Sequence, residues 1–276
     1  MNLTCKTLFS AFLITGALSG NAQVFDRLYH QQFDYTSGQN GDTFTDTNFP
    51  GEGWSSGTGV ITYQHDAGLT YPGLSPSATG GAMVYDFGGG TGSRSATQAD
   101  AFLDYGDFAA GQVFEFSALL RVERADFNSV SVAFNSGSVV NNVSLGVNAT
   151  NMFATAWMDG GTTTVTGPEW SLDTTHAFLM RVTQGTGASP TNSLVEVWFN
   201  PDYSNLGAAD FTSTSDTRIG RGGAGNAYTG VTYSGGTIGD ARVIWDEVQV
   251  VAIPEPGTLA LIGIALGCLM AFRRRK

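Results

Sequence analysis

The feature that most constrains the fold of this chain is a series of short apolar or alternating runs separated by Gly, Asn, Asp, Ser and Thr. The runs are mostly about 8–15 residues apart, and helical periodicity is hard to find between them. Their bounds are 60–63, 82–87, 101–105, 112–123, 130–135, 143–148, 152–158, 162–166, 177–183, 194–200 and 241–251. Strands at this spacing without intervening helices predict an all-β fold, either an antiparallel sandwich or a barrel.

Two of the runs show which face is buried. In 113–122 the even-numbered residues, from Phe114 to Val122, are all apolar, whereas the odd-numbered ones are mixed. In 194–200 the odd-numbered side chains up to Phe199 are apolar. Because successive side chains in a strand point to opposite faces, each run has one core face and one mixed face.

Glycine-rich stretches separate some of these runs. The chain has 37 Gly, and we expect the stretches 88–97 and 220–239 to be loops. Residues 220–225 match G-x-G-x-x-G as a string, but a dinucleotide site needs a strand before it and a helix after it, and 226–230 is loop-like. We therefore expect no dinucleotide cofactor, and the sequence predicts no other.

Charge and cysteine limit the partners of the central region, residues 23–252. It has eight Arg, no Lys and 23 Asp plus Glu, which gives a net charge of −15. Nucleic acid and anionic lipid would be repelled by that charge, so we expect neither as a partner. Cys5 and Cys268 both lie outside the region, which excludes disulfides, thiolate metal sites and cysteine nucleophiles from it.

The N-terminus has the pattern of an export signal. Lys6 precedes an apolar run over 8–18, and Gly20 and Ala22 are small residues in front of a plausible cleavage site before Gln23. This arrangement predicts a Sec-type signal peptide over 1–22.

The C-terminal residues 253–276 have three parts. Pro254 and Pro256 oppose both helix and strand, and Gly257 adds a flexible joint. The uncharged segment 258–272 would span about 22 Å as a helix, which is short for a hydrocarbon core of about 30 Å. The basic end 273–276 should stay on the cytoplasmic side of a membrane.

This tail resembles the PEP-CTERM sorting signal of Gram-negative bacteria that make extracellular polysaccharide. The residues that carry the resemblance are Pro254, Glu255, Pro256, Gly257, the transmembrane segment 258–272, Arg273, Arg274 and Arg275. The resemblance implies recognition by an exosortase, a membrane processing enzyme, with removal of the tail near the Pro-Glu-Pro motif. An ordinary single-pass anchor is the alternative, and the short span favours a processed signal.

The central region resembles the concanavalin A-like, laminin G-like jelly-roll domains of exported bacterial proteins. The resemblance rests on runs at 178–182, 195–202 and 244–250, with Phe33-Asp34-Tyr35 and Gly51-Glu52-Gly53-Trp54 in front. It implies an antiparallel β-sandwich over 23–252. That fold carries lectins, glycosidases and adhesive modules alike.

The carboxylates of a glycosidase are the first chemistry to look for on such a fold. Retaining enzymes of this kind place them two residues apart on one strand face, in the pattern Glu-x-Asp-x-(x)-Glu, which this sequence lacks. Asp246 and Glu247 are adjacent, so a regular strand would direct them to opposite faces. Glu247 would then share a face with Trp245 and Gln249, a candidate sugar-facing trio.

Two further tryptophans are candidates for stacking against sugars. Trp54 and Trp170 lie in stretches that we expect to be loops flanked by Gly or Pro. Together with Trp245 and Glu247 they form the predicted glycan-binding set.

Acidic residues suggest an irregular Ca²⁺ site, with surface turns as the alternative. Asn200-x-Asp202-x-Ser204 begins like a calcium loop, but Asn205 replaces the Gly that such a loop requires. A second cluster is formed by Asp100, Asp104 and Asp107.

The sequence thus predicts an exported surface or matrix protein without enzymatic activity, with glycan binding as a refinement. A carbohydrate-active enzyme, either a glycoside hydrolase or a lyase, is the alternative. The expected partners are an exosortase-type enzyme, the membrane through segment 258–272, and extracellular polysaccharide.

Overall fold

The computed structural model describes the parts of the chain that form its strands and several connections. The described residues are 26–31, 33, 41–44, 48, 54–56, 61–64, 68–74, 80–87, 92–98, 111–136, 143–158, 161–183, 185, 193–215 and 228–253. All of their regular structure is β-strand.

Thirteen strands occur in this part of the chain. They are β1 (Asp26–Gln31), β2 (Trp54–Ser56), β3 (Ile61–Gln64), β4 (Ala82–Asp86), β5 (Gly92–Gln98), β6 (Val113–Ser136), β7 (Val143–Asn148), β8 (Asn151–Met158), β9 (Gly161–Glu169), β10 (Thr175–Thr183), β11 (Ser193–Phe199), β12 (Phe211–Ser215) and β13 (Tyr228–Ile253). Every pairing between them is antiparallel.

Two long strands, β6 and β13, connect the layers of the sandwich. They pair along nearly their whole length, from Ser136 opposite Tyr228 to Val113 opposite Ile253. Register shifts interrupt the ladder between Gly236 and Ala241, where the ribbon bends. A Cβ at Gly239 would overlap the carboxylate of the exposed Asp126, which would have to rotate away to admit it.

The bend divides the strands into two sheets. Sheet I contains β12, β11, β10, the first half of β6, the second half of β13, β4 and β3, with β1 paired to the end of β13. Sheet II contains β9, β8, β7, the second half of β6, the first half of β13, β5 and β2.

The main core lies between the two sheets. Phe116 in sheet I and Phe134 in sheet II belong to the same strand, yet their ring centroids are 5.3 Å apart because β6 folds back. The Tyr85 hydroxyl in sheet I donates to the Gly235 carbonyl in sheet II at 2.6 Å. A second, smaller apolar cluster lies on the opposite side of sheet I.

The predicted antiparallel β-sandwich is confirmed. The even-numbered side chains of 114–122 and the odd-numbered side chains of 195–199 point into the core, as the alternation predicted. The loop predictions at 88–97 and 220–239 were wrong in part, because β5 occupies 92–98 and β13 begins at 228. Glycine is needed within β13, since a Cβ on Gly235 would lie 2.6 Å from Val130 of β6.

Several predictions fall outside the described residues. They are the signal peptide 1–22, the strand at 101–105, and the tail from Pro254 onward, including segment 258–272. Among the residues that are described, no helix is long and apolar enough to cross a bilayer.

Candidate binding face

The side of sheet I that faces away from the core, here called the outer face, combines apolar, aromatic and charged side chains. On β6 it carries Glu115 and Leu119, which alternate with core residues. On β10 and β11 it carries Arg181 and Trp198. This is the mixed face that the sequence alternation predicted for 113–122 and 194–200.

Two loops, 68–74 and 201–207, cover the middle of the outer face. They pack Tyr71, Leu74 and Tyr203 over an apolar floor of Leu69, Ala82, Val84, Leu119, Ala177 and Ile244. The rings of Tyr71 and Tyr203 meet edge to face at 5.9 Å. At Gly73 φ is +81°, and a Cβ there would lie 2.9 Å from the Ser204 nitrogen, so only glycine lets the loops approach.

Arg181 organises the part of the outer face beside these loops. Its Nε and Nη2 donate to Glu115 Oε1 at 2.8 and 2.5 Å. Its guanidinium lies 5.2 Å from the centroid of the Trp198 ring, which is cation–π geometry. The Trp198 indole N–H donates to the Gly207 carbonyl at 3.0 Å, which ties the patch to loop 201–207.

A second group of charges lies farther along the same face, near the bend. Arg242 bonds Asp86 at 2.9 Å, Glu123 at 2.7 Å and the Gln64 side chain at 2.8 Å. Arg124 bonds the other oxygen of Asp86 at 2.6 Å. Arg124 also pairs with Asp240, and Arg121 pairs with Glu123. These networks join β3, β4, β6 and β13 across the sheet.

The tyrosines on this face are held in the neutral form. Burial raises the pKa of Tyr203 well above its usual range, and the negative charges that Tyr71 and Glu115 carry when ionised raise it further. Burial likewise raises the pKa of Tyr71, with a contribution from Asp202. Both hydroxyls can therefore donate hydrogen bonds at any physiological pH.

Tyr203 also makes stability depend on alkaline pH. Its pKa is higher in the folded state, so above the ordinary value of 10.0 the unfolded chain ionises first and is stabilised. We expect the free energy of unfolding to fall above pH 10 and to fall less steeply in Tyr203→Phe. Urea unfolding of the wild type and of Tyr203→Phe at pH 8 and pH 11 measures the difference. Equal losses of unfolding free energy in the two proteins would contradict the raised pKa of Tyr203.

The structure places two of the predicted sugar-stacking residues in the core. Trp54 lies in β2 and is 3% exposed, packed against Phe33, Phe44 and Tyr233. Trp245 is 1% exposed in the middle of β13. The expectation of an accessible platform at these positions was wrong, because each ring fills the space between the sheets.

Glu247 does not share a face with Trp245 and Gln249 as the alternation implied. A register shift between Asp246 and Gln249 coincides with a φ of +47° at Glu247. This bulge changes the phase of the strand, so that Trp245 and Val248 both face the core and Gln249 faces outward. Glu247 is 8% exposed, and the predicted trio does not form.

Trp170 follows β9, as predicted for a connecting segment, and is half-buried. Its ring stacks on Phe127 with centroids 5.7 Å apart, and its indole N–H donates to the Asn148 carbonyl at 2.9 Å. It is not on the outer face of sheet I, so the four predicted glycan contacts are not brought together.

The predicted calcium ligands are only partly described. Asp202 is exposed, and its Oδ1 accepts from the backbone N–H and the hydroxyl of Ser204 at 2.9 and 2.6 Å. These bonds lower the pKa of Asp202. The described part of the chain contains no group of three potential metal ligands, whereas Asp100, Asp104 and Asp107 lie outside it.

Sequence reasoning did not single out Arg181, Glu115 and Tyr71, which together with Tyr203 define the outer face. The alternation of β6 and β11 was the available signal, since it marked a face that is neither core nor fully polar. The partners come from strands and loops far apart in the chain, so their meeting required the topology.

Comparison with known proteins gives one match to a described family. Residues 252–276 match the PEP-CTERM protein-sorting motif. No curated protein matches the chain in sequence.

Solved structures resemble the chain in fold at low identity. The alginate lyase Aly36B is 12% identical, with TM-score 0.35, and the match covers 82% of this chain and 96% of that one. The carbohydrate-binding module CBM66 from Bacillus subtilis is 10% identical, with TM-score 0.33, and the match covers 68% of this chain and 94% of the module. The binding domain of botulinum neurotoxin serotype D/C is 11% identical, with TM-score 0.43, and the match covers 82% of this chain and 48% of that one.

The chain spans only 45–48% of the neurotoxin structures that it matches. The PEP-CTERM motif marks the chain for exosortase-type processing and for membrane-anchored transit toward the cell surface. This is an exported protein that carries an antiparallel β-sandwich in front of a PEP-CTERM sorting motif.

Proposed function

We propose that this protein is a glycan-binding or structural component of the cell surface or extracellular matrix, and that it contacts polysaccharide through the outer face of sheet I. The observation that supports the proposal most is that the Tyr71–Tyr203 pair and the Arg181–Glu115 pair share one face, with the buried Trp198 ring beneath the guanidinium. Aromatic side chains and fixed polar groups side by side on one face are what a sugar polymer requires.

The charges of the face favour binding over catalysis. Asp246 is buried, and its two oxygens accept backbone N–H bonds from Leu69 and Glu247, both at 2.7 Å. A carboxylate held in this way is neither a free base nor a reachable nucleophile. We therefore propose a non-enzymatic role and keep a carbohydrate-active enzyme as the alternative that the same experiment tests.

The test is binding of the full chain, purified in mild detergent, to a panel of polysaccharides. The panel contains dextran, hydroxyethylcellulose, xylan, alginate and polygalacturonate. We expect retention on at least one glycan and a loss of affinity of about tenfold in Tyr71→Ala, because an aromatic contact is removed. Release of reducing or unsaturated ends would favour the enzymatic alternative.

Phe153→Ala is the matched control. Phe153 is a half-buried aromatic residue on β8, on the side of sheet II that faces away from the core. Its removal should leave glycan affinity unchanged. Failure of the wild-type chain to bind any glycan of the panel, or equal effects of the two substitutions, would count against binding through sheet I.

A further inference from the structure

The guanidinium groups that are described on the outer face are already paired with carboxylates. Side chains are described for four arginines of the central region, Arg121, Arg124, Arg181 and Arg242, and each of the four pairs with Asp or Glu. Each arginine whose side chain is described therefore has a carboxylate partner.

Glu196, Arg181 and Glu115 lie side by side on three neighbouring strands and carry a net charge of −1. In register, Arg181 lies directly between Glu196 of β11 and Glu115 of β6. One guanidinium is thus flanked by two carboxylates, in a region that carries a net charge of −15. A carboxylated or sulfated sugar placed on this row would meet more repulsion than attraction.

The remaining polar groups suit sugar hydroxyls. Gln249 points outward from β13, and its amide both donates and accepts. The Tyr71 hydroxyl adds a neutral donor on the same face, whereas the Tyr203 hydroxyl already donates to the Phe178 carbonyl at 3.4 Å. Such groups exchange hydrogen bonds with alcohols without any need for charge.

We infer that the outer face of sheet I selects neutral glycans and rejects polyuronates, and that Glu115 and Glu196 impose this selection by enclosing Arg181. The inference rests on the proposed function and deepens it by naming the class of ligand. Substitution of the two carboxylates should therefore raise the affinity for polyuronates, since it exposes a guanidinium that binds sugar carboxylates well.

The experiment compares a neutral and an anionic polymer on the same protein. Binding of the full chain to hydroxyethylcellulose, dextran, xylan and polygalacturonate is measured at 0.15 M salt. We expect the wild type to bind a neutral glycan and to bind polygalacturonate at least about tenfold more weakly. In E115Q/E196Q we expect polygalacturonate affinity to rise at least about tenfold and to fall again in 0.5 M salt.

The control separates the effect of where a carboxylate is removed from the effect of the change in net charge. Glu169 is an exposed carboxylate at the end of β9 in sheet II, so E169Q adds the same charge as either single substitution elsewhere on the molecule. E196Q alone is the second variant, because it leaves the Arg181–Glu115 bonds intact if the double variant folds poorly. It should show a smaller rise in polygalacturonate affinity than the double variant and a larger one than E169Q.

The outcomes separate this inference from the proposed function. Wild-type binding of polygalacturonate as tight as that of the neutral glycans would overturn the selection while leaving glycan binding intact. A gain in E169Q equal to that of the outer-face variants would also overturn it. No binding to any glycan by wild type or variants would reject the proposed function and the inference together.

Discussion

Replacing Trp245 with alanine should lower the free energy of unfolding by about 3–5 kcal/mol, the range seen when a large aromatic side chain is removed from a core. Trp245 is the largest fully buried side chain among the described residues, and its ring lies 6.5 Å from that of Phe178. It pairs with Leu120 on one side and Met83 on the other. The cavity would open in the middle of sheet I, where the surrounding strands cannot easily close it.

Urea unfolding followed by circular dichroism measures the loss in Trp245→Ala. Leu172→Ala is the control, because Leu172 is 51% exposed and its truncation should change stability by less than about 0.5 kcal/mol. A loss below about 1 kcal/mol in Trp245→Ala would contradict the position of this ring in the core.

Asp246→Ala should lower the free energy of unfolding by about 2–4 kcal/mol, because it leaves two backbone donors buried without an acceptor. The Asp246 carboxylate is 2% exposed and accepts from the N–H groups of Leu69 and Glu247. It therefore holds both the entry of loop 68–74 and the bulge at Glu247. Asp246→Asn retains one carbonyl acceptor, and we expect it to lose roughly half as much stability.

The comparison for this prediction is Asp202→Ala. Asp202 also accepts hydrogen bonds within a turn, but it is fully exposed, and water can replace the lost acceptor. Its unfolding curve should be indistinguishable from that of the wild type. If Asp246→Ala behaved in the same way, its two bonds would not be the ones that hold the loop to the sheet.

The part of the fold that could be predicted is the part where one face of a strand is buried and the other is not. The alternation in 113–122 and 194–200 follows directly from that asymmetry, so both the strands and their core faces were predicted correctly. The end-to-end connection of 112–123 to 130–135 within β6 was not predicted. The sequence analysis placed no strand at 124–129, whereas the chain bends there without leaving the ladder.

Glycine and bulges account for most of what was missed. The first half of β13 contains glycines that the sequence pattern assigns to a loop. Gly235 is nevertheless needed in the strand, because a side chain there would clash with Val130 and Tyr85. The bulge at Glu247 reverses the alternation within one strand, and no local sequence pattern indicates it. Both features depend on neighbours that are distant in sequence.

The candidate site was predicted least well, and for a related reason. Trp54 and Trp170 were selected for their flanking residues, but exposure of an aromatic ring depends on what packs against it. The Arg181–Glu115 pair spans 66 positions of the chain, and no spacing rule connects its members. The sorting motif, by contrast, is contiguous, and its residues could be recognised without any fold.

β13 joins the sandwich to the sorting motif without a spacer. The strand ends at Ile253, which pairs with Val113, and the matched motif begins at Ala252. When the tail is held in a membrane, tension on it therefore runs along the axis of a strand that is bonded within both sheets. Antiparallel hydrogen bonds lie perpendicular to the strand, so this load shears many of them together and does not peel them one at a time. The β6–β13 ladder would therefore take the load from its first pair, Ile253 opposite Val113.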